Sequence, residues 1–389
     1  MTESAEAGAV VRRSKPDLLP ANPRFSSGPC AKPPGWSLDR LRIDALGRSH
    51  RGAIGKARIG DAIARTHALL GLPPDYRLGI VPASDTGAVE MALWSLLGPR
   101  PVTMLAWESF GAGWVTDVNK QLGLDAEVRT ADYGRICDLG GIDPASDIVF
   151  TWNGTTSGVR VPDADWISMD RTGLSICDAT SAAFAQRIDW TKIDVGTFSW
   201  QKALGGEGGH GMLVLSPRAV ERLESGPAPR PLPKIFRLTK GGKLLDGIFK
   251  GETINTPSML CVEDWLFALD WAERIGGLDA LIGRANANAA AFDKWIQRAD
   301  WIEHLADDPA IRSNTSVCAR FVDRSDQEAN TARQKAIVRL LDEEGAAYDV
   351  GAYRDAPPGL RIWCGATVET SDIEALGPWL DWAWEETSK

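Results

Sequence analysis

Nothing in this 389-residue chain has the spacing of a zinc site or a disulfide framework. Its six cysteines, Cys30, Cys137, Cys177, Cys261, Cys318 and Cys364, are scattered, with no Cys-x-x-Cys pair. No bound metal is therefore expected, and a reducing, cytoplasmic setting fits best. A basic block is missing as well, and the formal charge is −9. Nucleic acid, which would want clustered Lys and Arg, is not expected as a partner. No apolar run approaches the ~20 residues of a membrane helix, so a membrane is not expected as a partner either. Met1 to Val11 carries two Glu and no apolar h-region, unlike a secretory signal. Residues 1–14 are expected to form a mobile tail. Internal repeats and low-complexity blocks are also lacking.

What is present is ordinary for a globular enzyme: 44% hydrophobic and 24% charged residues. The length suits one large or two modest domains. Seven short apolar runs, at 77–81, 102–106, 126–130, 148–152, 175–177, 196–199 and 212–215, alternate with helical stretches such as 88–97 and 113–122. Buried runs of this length spaced by helices predict an α/β fold. Its large domain is a mostly parallel seven-stranded sheet covered by helices. The proline-rich segment 227–233 breaks regular structure. Beyond it, helices at 261–275 and 278–299 lead into mixed strand and helix signals at 316–322, 328–344, 360–364 and 373–386. These predict a smaller C-terminal α/β domain. The expected division is residues 15–262 for the N-terminal segment and large domain, and 263–389 for the small one. Leu376, Trp379, Leu380 and Trp382 form a helical stripe expected to pack on that domain. The other tryptophans, sixteen in all, are read mostly as core.

Ligands of such sheets bind at the carboxyl ends of strands. Asp178 ends one strand, and Lys202 follows another 24 residues later, ahead of the glycine-rich run 205–211. A pyridoxal phosphate enzyme needs such a pair: an amine to anchor the cofactor and a carboxylate for its ring nitrogen. Ser84, Asp85 and Thr86 open a helix after the first strand. There free N–H groups and hydroxyls suit a phosphate, although these residue types also cap helices routinely. Asp85 is expected to point away. Phe110, after the next strand, offers a ring for stacking, with Trp107 and Trp114 as rivals. Thr155, in the turn Asn153-Gly154-Thr155-Thr156-Ser157-Gly158, can donate to a phenolic oxygen. Ser49-His50-Arg51, Arg354 and Arg361 supply groups for carboxylate or phosphate. Arg361, on an apolar strand, needs a partner. His210 is expected to be only a polar residue in a glycine turn.

Taken together these segments resemble the class V aminotransferases among fold-type I pyridoxal phosphate enzymes. Ser26-Ser27-Gly28-Pro29, Cys177-Asp178-Ala179-Thr180-Ser181 and Trp200-Gln201-Lys202 carry the likeness, which spans nearly the whole chain after about Pro20. Ser49-His50-Arg51 and Asn255-Thr256-Pro257 lean towards the phosphoserine aminotransferase family. The resemblance implies pyridoxal 5'-phosphate as cofactor, with Lys202 as its anchor and proton shuttle. Asp178 would meet the ring nitrogen, Thr155 the phenolic oxygen, and Phe110 the ring face. Thr180 or Ser181 and Gln201 would hold the phosphate, with Asn255 and Thr256 reaching it from the other subunit of a homodimer. Arg361 would grip the substrate carboxylate; His50, Arg51 and Arg354 would take its phosphate.

The reaction so implied exchanges phosphoserine and 2-oxoglutarate for 3-phosphooxypyruvate and glutamate in serine synthesis, with 4-phosphohydroxythreonine in pyridoxine synthesis as a related substrate. Many members have His-Arg where this chain has Tyr353-Arg354. A serine– or alanine–glyoxylate aminotransferase would share Lys202 and Asp178 without needing Arg51 and Arg354. Other readings are a cysteine desulfurase using Cys318 or Cys364 and a non-catalytic cofactor-binding regulator. Against them, both cysteines lie in apolar runs and no DNA-binding module is apparent.

Overall fold

Apolar runs of four to six residues are too short for stable helices and become strands wherever helices cover them. The structure, a computed structural model, describes residues 14–226 and 230–388. Helix α1 (Ala53–Leu70) leads in. Strand β1 (Arg77–Pro82) turns into α2 (Ser84–Leu96), and β2 (Val102–Ala106) into α3 (Ser109–Thr116). Next come β3 (Glu127–Thr130), β4 (Asp147–Thr151), the short ladder β5 (Asn153–Gly154) and β6 (Val159–Arg160), and β7 (Ser175–Asp178). Strands β8 (Val195–Ser199) and β9 (His210–Leu215) precede α4 (Pro217–Glu224), a ladder of β10 (Thr239–Lys240) and β11 (Lys243–Leu244), and α5 (Met259–Arg274). Then follow α6 (Gly277–Ile296), β12 (Ile302–His304), β13 (Ser316–Phe321), α7 (Gln327–Glu343), β14 (Gly359–Trp363) and α8 (Thr370–Glu386).

The large sheet has seven strands in the order β1-β9-β8-β7-β4-β2-β3. Only β9 runs against its neighbours; the pairs among β8, β7, β4, β2 and β3 are parallel. Alternate residues feed two separate cores, as a pleated strand requires. Ile148 and Phe150 of β4 and Met212 and Val214 of β9 join α1 and α5 on one face. Val149, Leu213 and Leu215 join α2 and α4 on the other. With both faces covered, only the strand ends are open to a ligand. The expected α/β fold with its mostly parallel seven-stranded sheet is thus the fold observed.

The small unit is the antiparallel sheet β12-β13-β14, backed by α6, α7 and α8. Leu376, Trp379, Leu380 and Trp382 are buried in its core, as the helical stripe implied. The expected division at residue 263 falls inside α5, whose Val262, Trp265 and Leu266 belong to the large core. Packing changes hands along α6 instead: Leu281 and Ala285 serve the large core, Phe292 and Trp295 the small one. Phe25 and Cys30 also lie in the small core, so the N-terminal segment stitches the two together. Residues 1–13 of the expected tail and 227–229 of the proline-rich segment lie outside the described residues. Helix α1 was not anticipated from the sequence. Its buried face interleaves Ile59, Ile63 and Leu70 with the smaller Gly55, Ala62 and Thr66, and it lies against α5. Among the described residues no helix is long and apolar enough to cross a membrane.

One core feature reaches the strand ends directly. Trp265 stacks on Trp200 at 5.3 Å, meets Phe184 edge-on at 5.7 Å, and donates its Nε1–H to Thr66 at 2.9 Å. Trp200 is followed by Gln201 and Lys202, so this stack backs the loop that carries the lysine. Trp265→Ala should cost about 3–5 kcal/mol of stability, the usual range for a buried aromatic truncated to alanine. The midpoint of denaturant unfolding, followed by circular dichroism, measures it.

Candidate active site

The carboxyl ends of β1, β2, β4, β7 and β8 share one edge, and a cavity of about 350 Å³ opens there. Lys202, Asp178, Thr155, Thr180, Gln201, Phe110, Ser84, Asp85 and Thr86 all line it. Lys202 lies three residues past β8, in a tight turn fastened by Gly205 N–H to the Lys202 carbonyl at 2.9 Å. Its ammonium donates to the Ser27 carbonyl. The N-terminal segment is held close to it by the Cys30 N–H, which donates to the Gln201 carbonyl at 2.9 Å. Gly28 must be glycine here: its φ is +149, and a β-carbon would stand 2.5 Å from Lys202 Nζ. Burial first, and then the Arg361 charge, pull the Lys202 amine below its ordinary pKa. A lysine with a lowered pKa is a better nucleophile at neutral pH.

Asp178 faces the same space from the end of β7. Its oxygens accept the Thr180 N–H at 3.0 Å and the Trp114 indole N–H at 3.2 Å. Both contacts fix its orientation. Trp114 was weighed from sequence only as a stacking rival; its hydrogen bond to Asp178 depends on how α3 is laid on the sheet. Trp107 is buried to 1% exposure in the core, whereas Phe110 keeps 40% of its surface open at the cavity. Thr155 pairs its hydroxyl with Ser181 at 2.6 Å, and Ser316 donates to its carbonyl at 2.6 Å. Ser181 therefore sits behind Thr155, fully buried and also bonded to Asn153, rather than in the cavity wall.

At the far end of the cavity α2 presents an N-terminus with no side-chain cap. Ala83 and Ser84 hold left-handed backbones, φ +67 and +54, which let β1 turn sharply into the helix. Their N–H groups are tied to the Gly209 carbonyl at 3.1 and 3.3 Å. The Thr180 hydroxyl and the Gln201 amide oxygen are buried without a partner among the described residues. An uncapped helix start, free hydroxyls and an amide at one end, with a lysine and a carboxylate beyond, fit pyridoxal phosphate in donor set and in order. Asp85 departs from expectation. It is 7% exposed and lies against Asp178, Thr180 and Thr197 rather than pointing away. Burial, and then the Asp178 charge, push its carboxyl well above the usual range.

Other expected residues do not line the cavity of their own chain. His50 is buried with its Nε2 unpartnered, and Arg51 is exposed. Asn255 and Thr256 are exposed, and the Asn255 amide bonds only to the adjacent Thr256 carbonyl, at 3.3 Å. Arg354 is exposed beside Asp355 at 3.5 Å. Arg361 lies close enough for its charge to act on Lys202, and its buried Nε has no partner among the described residues. His210 does more than fill a turn: it stacks on Trp200 at 4.7 Å and accepts the Ser258 N–H at 3.1 Å, fixing the start of α5. Burial pushes the Cys318 thiol up to about 12 and raises that of Cys364 as well, so neither is a ready nucleophile. Among the described residues no cluster of His, Cys, Asp or Glu is arranged to hold a metal ion.

Sequence reasoning passed over Glu108. It caps α3 by accepting the Gly111 N–H at 2.8 Å and the Thr156 hydroxyl at 2.9 Å, and it lines the cavity. A Glu at a strand end, three residues before a Gly, was the available sign of such a cap. Burial pushes its carboxyl up to about 7 despite those donors. Folded protein then holds a proton that the unfolded chain releases above its ordinary value of 4.5. Stability should fall as pH rises from about 4.5 to 7, with no further loss from this group above that. Glu108→Gln should remove this slope. Relative to wild type, its thermal midpoint should improve steadily across that window, as read by scanning calorimetry of cofactor-free protein.

No protein-family model matches the chain. It is, however, 58% identical over 371 residues to the phosphoserine aminotransferase of Methanosarcina barkeri, covering 95% of this chain and 99% of that one. In three dimensions it resembles the phosphoserine aminotransferase of Cytophaga hutchinsonii, with a TM-score of 0.79, 22% identity and coverage of 92% and 98%. A similar likeness holds for an alanine–glyoxylate aminotransferase of Nostoc, with a TM-score of 0.75, 16% identity and coverage of 95% and 97%. The overall fold is thus common to several transaminases, whereas the end-to-end identity is specific. On that identity, the chain belongs to the phosphoserine aminotransferase family of pyridoxal-phosphate-dependent transferases.

Proposed function

We propose that this enzyme moves the amino group of O-phospho-L-serine to 2-oxoglutarate and back, with 3-phosphooxypyruvate and L-glutamate as the other pair. The observation that carries this reading is the convergence of Lys202, Asp178 and the uncapped start of α2 on one cavity, in a chain matched end to end by a phosphoserine aminotransferase. When bound, pyridoxal phosphate supplies a carbonyl that links to amines and a ring that accepts electrons released at the substrate α-carbon. Lys202 would anchor it and would be the base that takes the substrate α-proton and returns it. The lowered pKa of its amine suits that exchange. Asp178, steadied by Trp114 and Thr180, would hold a proton on the ring nitrogen. Phe110 would cover one ring face, Thr155 would meet the phenolic oxygen, and Ser84, Thr86, Thr180 and Gln201 would hold the phosphate.

Arg361 grips the substrate carboxylate. Its lack of any ion pair among the described residues leaves the charge available. His50, Arg51 and Arg354 take the substrate phosphate. Asn255 and Thr256, exposed and outside their own cavity, complete the cofactor-phosphate site of the other subunit in a homodimer. Six cysteines without a disulfide suit a reducing compartment, and we read the enzyme as cytoplasmic.

Two experiments test this. A phosphate monoester carries roughly two charges near neutral pH, and charged hydrogen bonds contribute about 1.5–3 kcal/mol each. Arg51→Ala and Arg354→Ala should each lower kcat/KM for phosphoserine by roughly ten- to a hundredfold while sparing the glutamate half-reaction. Equal use of serine or alanine, with both variants silent, would instead indicate a glyoxylate-type aminotransferase.

Hybrid dimers test the shared site. Lys202→Ala alone should lose the covalently anchored, yellow cofactor and turnover. Mixing it with the Asn255→Ala, Thr256→Ala double variant should restore part of the activity. A fully active monomer on sedimentation would exclude the shared-site arrangement.

A further inference from the structure

The loop from Val350 to Gly359 is fastened at both ends. Arg361 N–H donates to the Val350 carbonyl at 2.8 Å, and Ala352 N–H to the Gly359 carbonyl at 3.2 Å. Gln334 clamps the same two strands, accepting the Gly359 N–H at 2.8 Å and donating to the Ala352 carbonyl at 3.4 Å. From this rigid base Tyr353 projects towards the large domain. Its ring lies 5.7 Å from that of Phe110, tilted by 43°. The Arg361 guanidinium carbon stands 5.5 Å from the centre of the Tyr353 ring on the partly buried side, and that of the exposed Arg354 stands 5.4 Å from it. Next along the loop, Asp355 accepts the Ser109 hydroxyl at 3.1 Å, and Ser109 also meets the Tyr133 hydroxyl at 2.6 Å. The small-domain loop thus grips α3 at two consecutive residues, one of which lines the cavity.

This arrangement answers the question raised by Arg361, a partly buried cation with no ion pair among the described residues and an orphaned Nε. A carboxylate partner would orient the guanidinium but also cancel its charge. An aromatic face attracts the cation through its quadrupole and leaves the N–H groups free for an anion. We propose that Tyr353 is a positioning residue for the carboxylate of the amino-acid and oxo-acid substrates: its ring holds Arg361 in the binding orientation, and its contact with Phe110 sets that orientation relative to the cofactor wall. The proposal rests on reading Arg361 as the carboxylate grip. It implies a uniform effect on all substrates, since all carry that carboxylate, in contrast to the phosphate-selective effect assigned to Arg51 and Arg354.

The test compares Tyr353→Phe, Tyr353→Trp and Tyr353→Leu in the cofactor-loaded enzyme. Binding of 2-oxoglutarate is measured by calorimetric titration, and both half-reactions by the change in cofactor absorbance. Tyr353→Leu should weaken 2-oxoglutarate binding and raise KM for glutamate and phosphoserine alike by about tenfold, with kcat within about twofold of wild type. Tyr353→Phe and Tyr353→Trp, which keep a π face, should stay within about threefold. Loss of affinity in both aromatic variants, or none in Tyr353→Leu, overturns the proposal. So does a fall in kcat at unchanged KM. In an Arg361→Lys background the Tyr353→Leu penalty should shrink to about twofold or less, because the planar guanidinium it steadies is gone; full additivity counts against the proposal. If Arg361→Lys by itself leaves 2-oxoglutarate binding unchanged, the carboxylate-grip reading has failed. A damaging Arg361→Lys beside a silent Tyr353→Leu means that only the role of Tyr353 has failed.

Discussion

A parallel sheet covered on both faces has nowhere to put polar chemistry except its strand ends, and this constraint organises the molecule. Every strand of the central sheet except edge strand β3 is buried, with apolar side chains sent alternately to two cores. The backbone must therefore emerge into loops at one edge before any charged side chain can face a ligand. Asp178, Lys202, Thr155, Glu108 and the start of α2 all occur within a few residues of a strand terminus for this reason. Antiparallel β9 contributes at its beginning rather than its end, so Gly208 and Gly209 reach the same cavity.

The electrostatics follow from that geometry. Carboxyl groups brought to the edge of a dry sheet are only partly compensated. Asp178 and Glu108 each receive two donors, yet burial pushes Glu108, like Asp85, upward in pKa. Lys202 is pushed the other way by the same burial. Raising acids and lowering a base within one cavity narrows the gap between their titrations, a pattern typical of sites that move protons. The strained backbone at Ala83 and Ser84 belongs to the same site, where it turns a helix start towards the cavity.

Closure of the site depends on contacts between distant parts of the chain. The N-terminal segment passes beside Lys202 and is built into the small domain through Phe25, whose carbonyl accepts the Trp363 N–H at 3.0 Å. Ser316 of β13 supports Thr155, and the loop after Val350 reaches α3. Small-domain residues thus hold three separate points of the large-domain edge. A displacement of one unit against the other would alter the cavity without changing any residue in its floor.

Much of this was legible in the chain. Run length between helical stretches marked the seven strands of the central sheet: six are buried on both faces and so are continuously apolar, whereas edge strand β3 is largely exposed. Strand-end position picked out Lys202, Asp178 and Thr155, and residue type added the α2 start, since each role needs a particular functional group at an open edge. Helix α1 was missed because only three large apolar residues, Ile59, Ile63 and Leu70, mark its buried face, with Gly55, Ala62 and Thr66 between them. Only the folded chain could show that Asp85 turns inward to Asp178, that Trp114 donates its indole N–H to Asp178, and that Ser181 lies behind Thr155. Nor does spacing along the chain reveal that Tyr353 and Phe110, 243 residues apart, share a contact. Side-chain direction and long-range proximity come from packing many elements at once, whereas the presence of a reactive group at a strand end is a local property that the sequence by itself determines.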